Sequence, residues 1–132
     1  MRRVRFLRSQ LENLRKEAKR IADTNGGEIC GLILDNGSFF ELLQVRNKRK
    51  SAGGFSFYFN EVRSIQKRAE ACKREIVGTF HSHPVGLAEP GPSDLSNARD
   101  DSVMLIFDVK GRIARLWHIE NLEGKQVRFS VI

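Results

Sequence analysis

Apolar residues recur along this chain with two different periods. Leu11, Leu14, Ala18, Ile21 and Ala22 fall at helical spacing before Asn25-Gly26-Gly27. That spacing predicts an amphipathic helix over about 10–24, opened by a capping box from Ser9 to Glu12. A short strand around Val4–Leu7 is expected ahead of it. Val62, Ile65, Ala69 and Cys72 draw a second stripe, which predicts a helix over 61–73 capped by Asn60.

The remaining apolar runs read as strands. "EICGLILD" (28–35) is followed by Asn36-Gly37 and then by "SFFELLQVRN". Asn-Gly between two such runs predicts a hairpin with a type I′ turn, which needs positive φ at both central residues. "KRKSAGG" (48–54) reads as a polar loop and "FSFYF" (55–59) as another strand. "EIVGTFHSH", "VMLIFDV" (103–109), "RIARLWHIE" and "QVRFSVI" complete the set, with a turn at Lys110-Gly111. The expected fold class is α+β: a mixed, curved β-sheet flanked by two main helices, with a short third helix after the histidines. The chain has 132 residues and no internal repeat, low-complexity tract or linker, so one domain over 1–132 is expected.

Composition narrows the function classes. Hydrophobic content is 40%, ordinary for a globular chain. No apolar run approaches the ~20 residues of a spanning helix. Arg5 and Arg8 interrupt the basic N-terminus before a signal-peptide core can form. A cytoplasmic protein is the expectation, with no membrane partner. Cys30 and Cys72 form no CxxC and read as buried, reduced small hydrophobes. Lysine and arginine exceed the acidic residues by 23 to 16, a net charge of +7. Much of the excess lies in residues 1–20 and in "RNKRK" at 46–50. A basic face attracts nucleic acid or an acidic protein. The chain carries neither an RNA-binding aromatic signature nor zinc-finger spacing, so nucleic acid is the weaker reading.

The chemistry concentrates in "GTFHSHPVGLAEPGPSDLSNA" (78–98). Residues i and i+2 of a strand leave the same face, so His81 and His83 point together while Ser82 points away. Their Cα atoms are then roughly 6–7 Å apart, which lets both imidazoles reach one zinc ion. Pro84 ends the strand, which suits a site at a sheet edge. Gly91 is an acceptable N-cap and Pro92 is favoured at the first helical position, which puts Asp94 in the first turn of a short helix. Leu95 and Ala98 supply that helix's buried side. A carboxylate in the first turn is held ionised by the helix dipole, as a third ligand should be. His118, in "LWHIE", has no such company and reads as structural.

These residues resemble the JAMM metalloproteases, also called the MPN-domain family. Its motif is a glutamate on an early strand, H-S/T-H-P, a serine eight residues past the second histidine, and an aspartate three beyond that. "EICGLI" resembles the family's Glu-x-x-Gly-Leu strand, which puts Glu28 on the catalytic glutamate. "HSHP" puts His81 and His83 on two zinc ligands, and Asp94, eleven residues past His83, on the third. The order of elements along most of the chain also follows the family, so the resemblance implies a cytidine-deaminase-like MPN fold and a prokaryotic single-domain member.

One position departs. The family's serine is Gly91 here. Shifting the register to make Ser93 that serine moves the aspartate position to Ser96, a poor zinc ligand, so the first register stands. In the family that hydroxyl assists the developing oxyanion. Here the task falls to Ser93, a backbone N–H or water, unless the enzyme is slow or the domain is a metal-binding scaffold.

The resemblance implies one Zn2+ per chain and hydrolysis of an amide, with Glu28 as general base. It also implies a substrate: the C-terminal Gly-Gly tail of a ubiquitin-like or sulphur-carrier protein, pairing with a free sheet edge near the metal. The alternatives are a non-catalytic MPN-type scaffold for a protein partner and a nucleic-acid role like that of RadC-like relatives. The latter tend to carry H-N-H-P instead of H-S-H-P.

Overall fold

The structure, a computed structural model, describes residues 3–49 and 54–132. β1 (Arg5–Phe6) and α1 (Arg8–Asn25) lead into a hairpin of β2 (Cys30–Asp35) and β3 (Phe40–Val45). After α2 (Phe59–Ala71), β4 (Glu75–His83) carries the histidines and α3 (Pro92–Asn97) follows. β5 (Ser102–Asp108), β6 (Ile113–Glu120), β7 (Glu123–Val127) and β8 (Ser130–Val131) close the chain.

All eight strands join one sheet in the order β7-β6-β5-β4-β2-β3-β1-β8. β1 runs parallel to both β3 and β8, and β4 and β5 run parallel through the crossover that contains α3, while the other pairs are antiparallel. Arg128 and Phe129 alone separate β7 from β8, yet these strands are the two edges of the sheet. The sheet therefore curls until its ends meet. Phe129 packs edge-on against Phe6 at 5.1 Å inside the curl.

Strand alternation divides the core between two faces. Ile33, Phe80, Leu105 and Phe107 fill the inner face, which α1 covers with Leu14 and Ala18. On the outer face α2 packs Ile65 and Ala69 over Cys30, Leu32 and Leu34. Beside it, Leu95 and Ala98 lie against Met104, Ile106 and Ile119. Every residue from Cys30 to Leu34 is buried, which explains why β2 reads as an unbroken apolar run with no alternation.

Several expectations are corrected. The first helix begins at Arg8, with Leu7 at the N-cap and no side-chain cap bond, so Ser9 to Glu12 is not a capping box. The second begins at Phe59, with Tyr58 at its N-cap, so Asn60 lies inside it. "FSFYF" is not a strand: Phe55 and Phe57 pack onto the outer-face core as an irregular segment. The hairpin forms, but only Gly37 takes positive φ (95°) and Asn36 instead accepts the Ser38 and Phe39 amides, so the turn is not type I′. "QVRFSVI" splits between β7 and β8. Cys30 is buried, whereas Cys72 is exposed at the end of α2. Lys50–Gly53 of the polar loop lie outside the described residues. Among those described, no helix is long and apolar enough to cross a membrane.

Candidate metal centre

The histidines end a central strand, not an edge one, since β4 is flanked by β2 and β5. The expected sheet edge beside them is therefore absent on β4. The site lies instead at the carboxyl end of the parallel β4–β5 pair, where the crossover leaves a crevice. His81 and His83 share the outer face, with ring centroids 4.9 Å apart. Phe55 stacks on His81 at 4.7 Å and 28°, sealing an imidazole that is 0% exposed.

α3 brings Asp94 to the histidines. Gly91 is its N-cap and Pro92 follows at the first turn. The Gly91 N–H donates to Asp94 Oδ2 at 2.9 Å, which orients the carboxylate. That oxygen lies 3.3 Å from His81 Nε2 and 3.5 Å from His83 Nε2. The two Nε2 atoms are 3.1 Å apart.

These separations test the fit to a metal. The edges of a tetrahedron with bonds of about 2.0–2.1 Å are about 3.3–3.4 Å, close to all three distances. His83 Nδ1 lies 2.7 Å from the Leu87 carbonyl, an acceptor that fixes the ring proton there and turns a lone pair of Nε2 inward. The His83 Nε2 lone pair and the Asp94 carboxylate then converge beside His81 Nε2, and they repel unless a proton or a cation lies among them. His81, His83 and Asp94 fit a metal ion.

The hydrogen bond with Asp94 raises the His83 pKa above its ordinary value, against desolvation. Burial pushes Asp94 upward, but its bonds with His81, His83 and the Gly91 N–H outweigh it and hold the carboxyl far below the usual range. A raised histidine contributes stability that is complete below its unfolded pKa of about 6.5 and lost as pH rises through the folded value. Metal-free protein should therefore melt lower as pH climbs from about 6.5. In the His83→Ala variant that slope should flatten, a difference readable by thermal denaturation across pH.

Glu28 reaches the site by register. Cys30 pairs with His81, and Ser82 exchanges bonds with Ile29, so the ladder extends to place Glu28 opposite His83. Its parity matches Cys30, so it shares the outer face with the histidines. It precedes the hydrogen-bonded strand by two residues and is buried, at 9% exposure. Burial raises its carboxyl pKa, partly countered by charge interaction with His81 and His83 and by the Gly54 backbone. Asn47 braces the same segment: its amide donates to the carbonyls of Glu28 at 3.0 Å and Gly54 at 3.2 Å.

The local supports were not found from sequence. Ser82 is fully buried on the inner face, and its Oγ accepts the Ile29 N–H at 2.9 Å, fixing the backbone beside Glu28. Strand alternation gives its direction but not its partner. Trp117 Nε1 donates to the Ala88 carbonyl at 2.8 Å, anchoring the loop whose Leu87 carbonyl meets His83. His118 lies apart, 2.8 Å from Asp101. Ser93 lines a cleft beside Asp94. Gly91 has room for a side chain, since an added Cβ would meet only Asp94 Oδ2, at 3.6 Å.

Residues 9–120 match the profile of the prokaryotic homologs of the JAB domain. The chain belongs to that family. The JAB domain is also evident in the fold. A protein from Desulfitobacterium hafniense superposes with a TM-score of 0.81 at 20% identity, covering 98% of this chain and 92% of that one. A JAB1/MPN domain protein from Archaeoglobus fulgidus gives 0.61 at 17% identity, covering 99% of both chains. A Salinibacter ruber protein gives 0.65 at 18%, covering 98% and 91%. These likenesses concern the fold alone. No curated protein matches the sequence significantly. The three-residue His-His-Asp group of this JAB domain is a candidate metal site.

Proposed function

We propose that this JAB domain is a zinc-dependent peptidase or isopeptidase. The observation that carries the reading is the convergence of His81, His83 and Asp94 at tetrahedral spacing, with Glu28 buried beside them. A zinc ion held there would polarise an amide carbonyl and make water acidic enough to ionise near neutral pH.

The protein's own groups do the rest. Asp94 stays ionised and is oriented by the Gly91 amide, while the Leu87 carbonyl fixes the ring of His83. Glu28, with its pKa raised by burial, takes a proton from the attacking water and delivers it to the leaving amine. Its raised basicity suits both transfers. The substrate in this reading is an amide next to the C-terminal tail of a ubiquitin-like or sulphur-carrier protein.

A second reading is favoured by Gly91, which offers no hydroxyl: a catalytically weak or inactive scaffold that binds a protein partner. One experiment separates them. Zinc-loaded wild type and Gly91→Ser are incubated with fusions ending in Gly-Gly. The added side chain fits, so the variant should fold normally. Supplying one oxyanion donor should raise the cleavage rate by about 10²–10³. No cleavage by either protein would favour the scaffold.

A further inference from the structure

The two imidazoles of the site are held in different ways. The Leu87 carbonyl fixes His83 at Nδ1. His81 Nδ1 is buried and meets no hydrogen-bond partner among the described residues. Outside the ligand triad, then, packing must set the His81 ring, and the ring stacked on it is Phe55. Phe55 belongs to neither a strand nor a helix, so no backbone ladder holds it in place.

The support converges on one side chain. Counted on from the Cys30–Val45 pair, Asn47 falls opposite Glu28, two residues past the end of β3. Its carboxamide takes over there from the ladder. Nδ2 donates to the carbonyls of Glu28 and Gly54, and Oδ1 accepts the backbone N–H groups of Arg49 and Ser56 at 3.0 and 3.1 Å. Two donors and two lone pairs are the full capacity of an asparagine side chain. The Lys48 N–H adds one backbone bond to the Ser56 carbonyl at 2.8 Å. Gly54 and Ser56 flank Phe55, so Asn47 grips the stacked ring's segment on both sides and ties it to the backbone of Glu28. The Gly54 backbone in turn acts on the Glu28 carboxyl, lowering its pKa against burial.

We infer that Asn47 is a positioning residue: its carboxamide holds Glu28 and the His81 ring in one fixed geometry, acting through Gly54 and Phe55. Small displacements matter at such a site, because a misplacement of about 1 Å can cost about 10² in rate. Alanine offers none of the four bonds, and aspartate keeps the acceptors but loses both donors. The inference rests on the peptidase reading for the rate that is affected, but not for the geometry that is held.

NMR of isotope-labelled, metal-free protein reports the geometry without turnover. The wild type should show nuclear Overhauser contacts between the rings of Phe55 and His81. Those contacts should weaken in both Asn47→Ala and Asn47→Asp, and in Asn47→Ala the Ser56 amide should exchange with solvent about ten-fold faster. Contacts between Phe6 and Phe129 in the inner core should persist in both variants, which separates a local loss from unfolding. With zinc loaded, each variant should keep a KM near that of wild type while kcat per bound zinc falls by about 10². A merely structural role would not produce that split. Phe55–His81 contacts retained in full by both variants, or an unchanged kcat per bound zinc, would overturn the inference. Weakened ring contacts in the variants, with no cleavage even by wild type, would leave the positioning standing and remove the peptidase reading instead.

Discussion

Glu28→Gln should lower the hydrolysis rate by about 10²–10⁴, the usual contribution of a positioned acid–base group, while zinc content stays unchanged. Glutamine keeps the shape and the contact with the Gly54 backbone, but it cannot carry a proton between water and the leaving amine. The substitution also removes a buried carboxyl whose pKa is raised. Such a group stabilises the fold while protonated, and that stability is lost as pH rises through its folded pKa. The metal-free variant should accordingly melt higher than the wild type at neutral pH. Paired rate and melting measurements decide the matter. A variant that hydrolyses at the wild-type rate would remove Glu28 from the chemistry.

The second large effect concerns stability. Gly31→Ala should destabilise the domain by about 3 kcal/mol or more, the upper end of overpacking penalties. A Cβ built at Gly31 would overlap the Leu43 carbonyl oxygen and the Phe80 ring. Neither can retreat. Leu43 is fixed in the β2–β3 ladder opposite Leu32, and Phe80 is 0% exposed in the inner core. Because Glu28 lies only two residues before β2, the damage should extend to the site. Chemical denaturation measures it directly, and a variant within about 1 kcal/mol of wild type would contradict this packing account.

The sequence made the site more legible than its surroundings, for a physical reason. His81, Ser82 and His83 obey the two-residue strand period, and Gly91-Pro92 marks a helix start by backbone preference alone, so both ligand-bearing pieces announce themselves locally. The position of β4 in the sheet depends on pairing between distant segments. Pro84 therefore suggested an edge where the strand is central. Local composition also misled at "FSFYF": aromatic patterning signals a half-buried surface, and this segment gains that burial by packing Phe55 and Phe57 without any ladder. The helix starts failed similarly, because Leu7 and Tyr58 occupy cap positions that side-chain chemistry would assign to Ser9 and Asn60. Ser82, Trp117 and Asn47 act through partners 53, 29 and 19 residues away, distances that no local pattern encodes.

The most direct measurement is the zinc content of purified, reduced protein beside His83→Ala and Asp94→Ala. About one equivalent in the wild type and none retained by either folded variant is the predicted result, since a three-ligand site loses most of its affinity with any ligand. Folded wild-type protein that takes up no zinc, or variants that keep it fully, would contradict the assignment of His81, His83 and Asp94 as the metal centre.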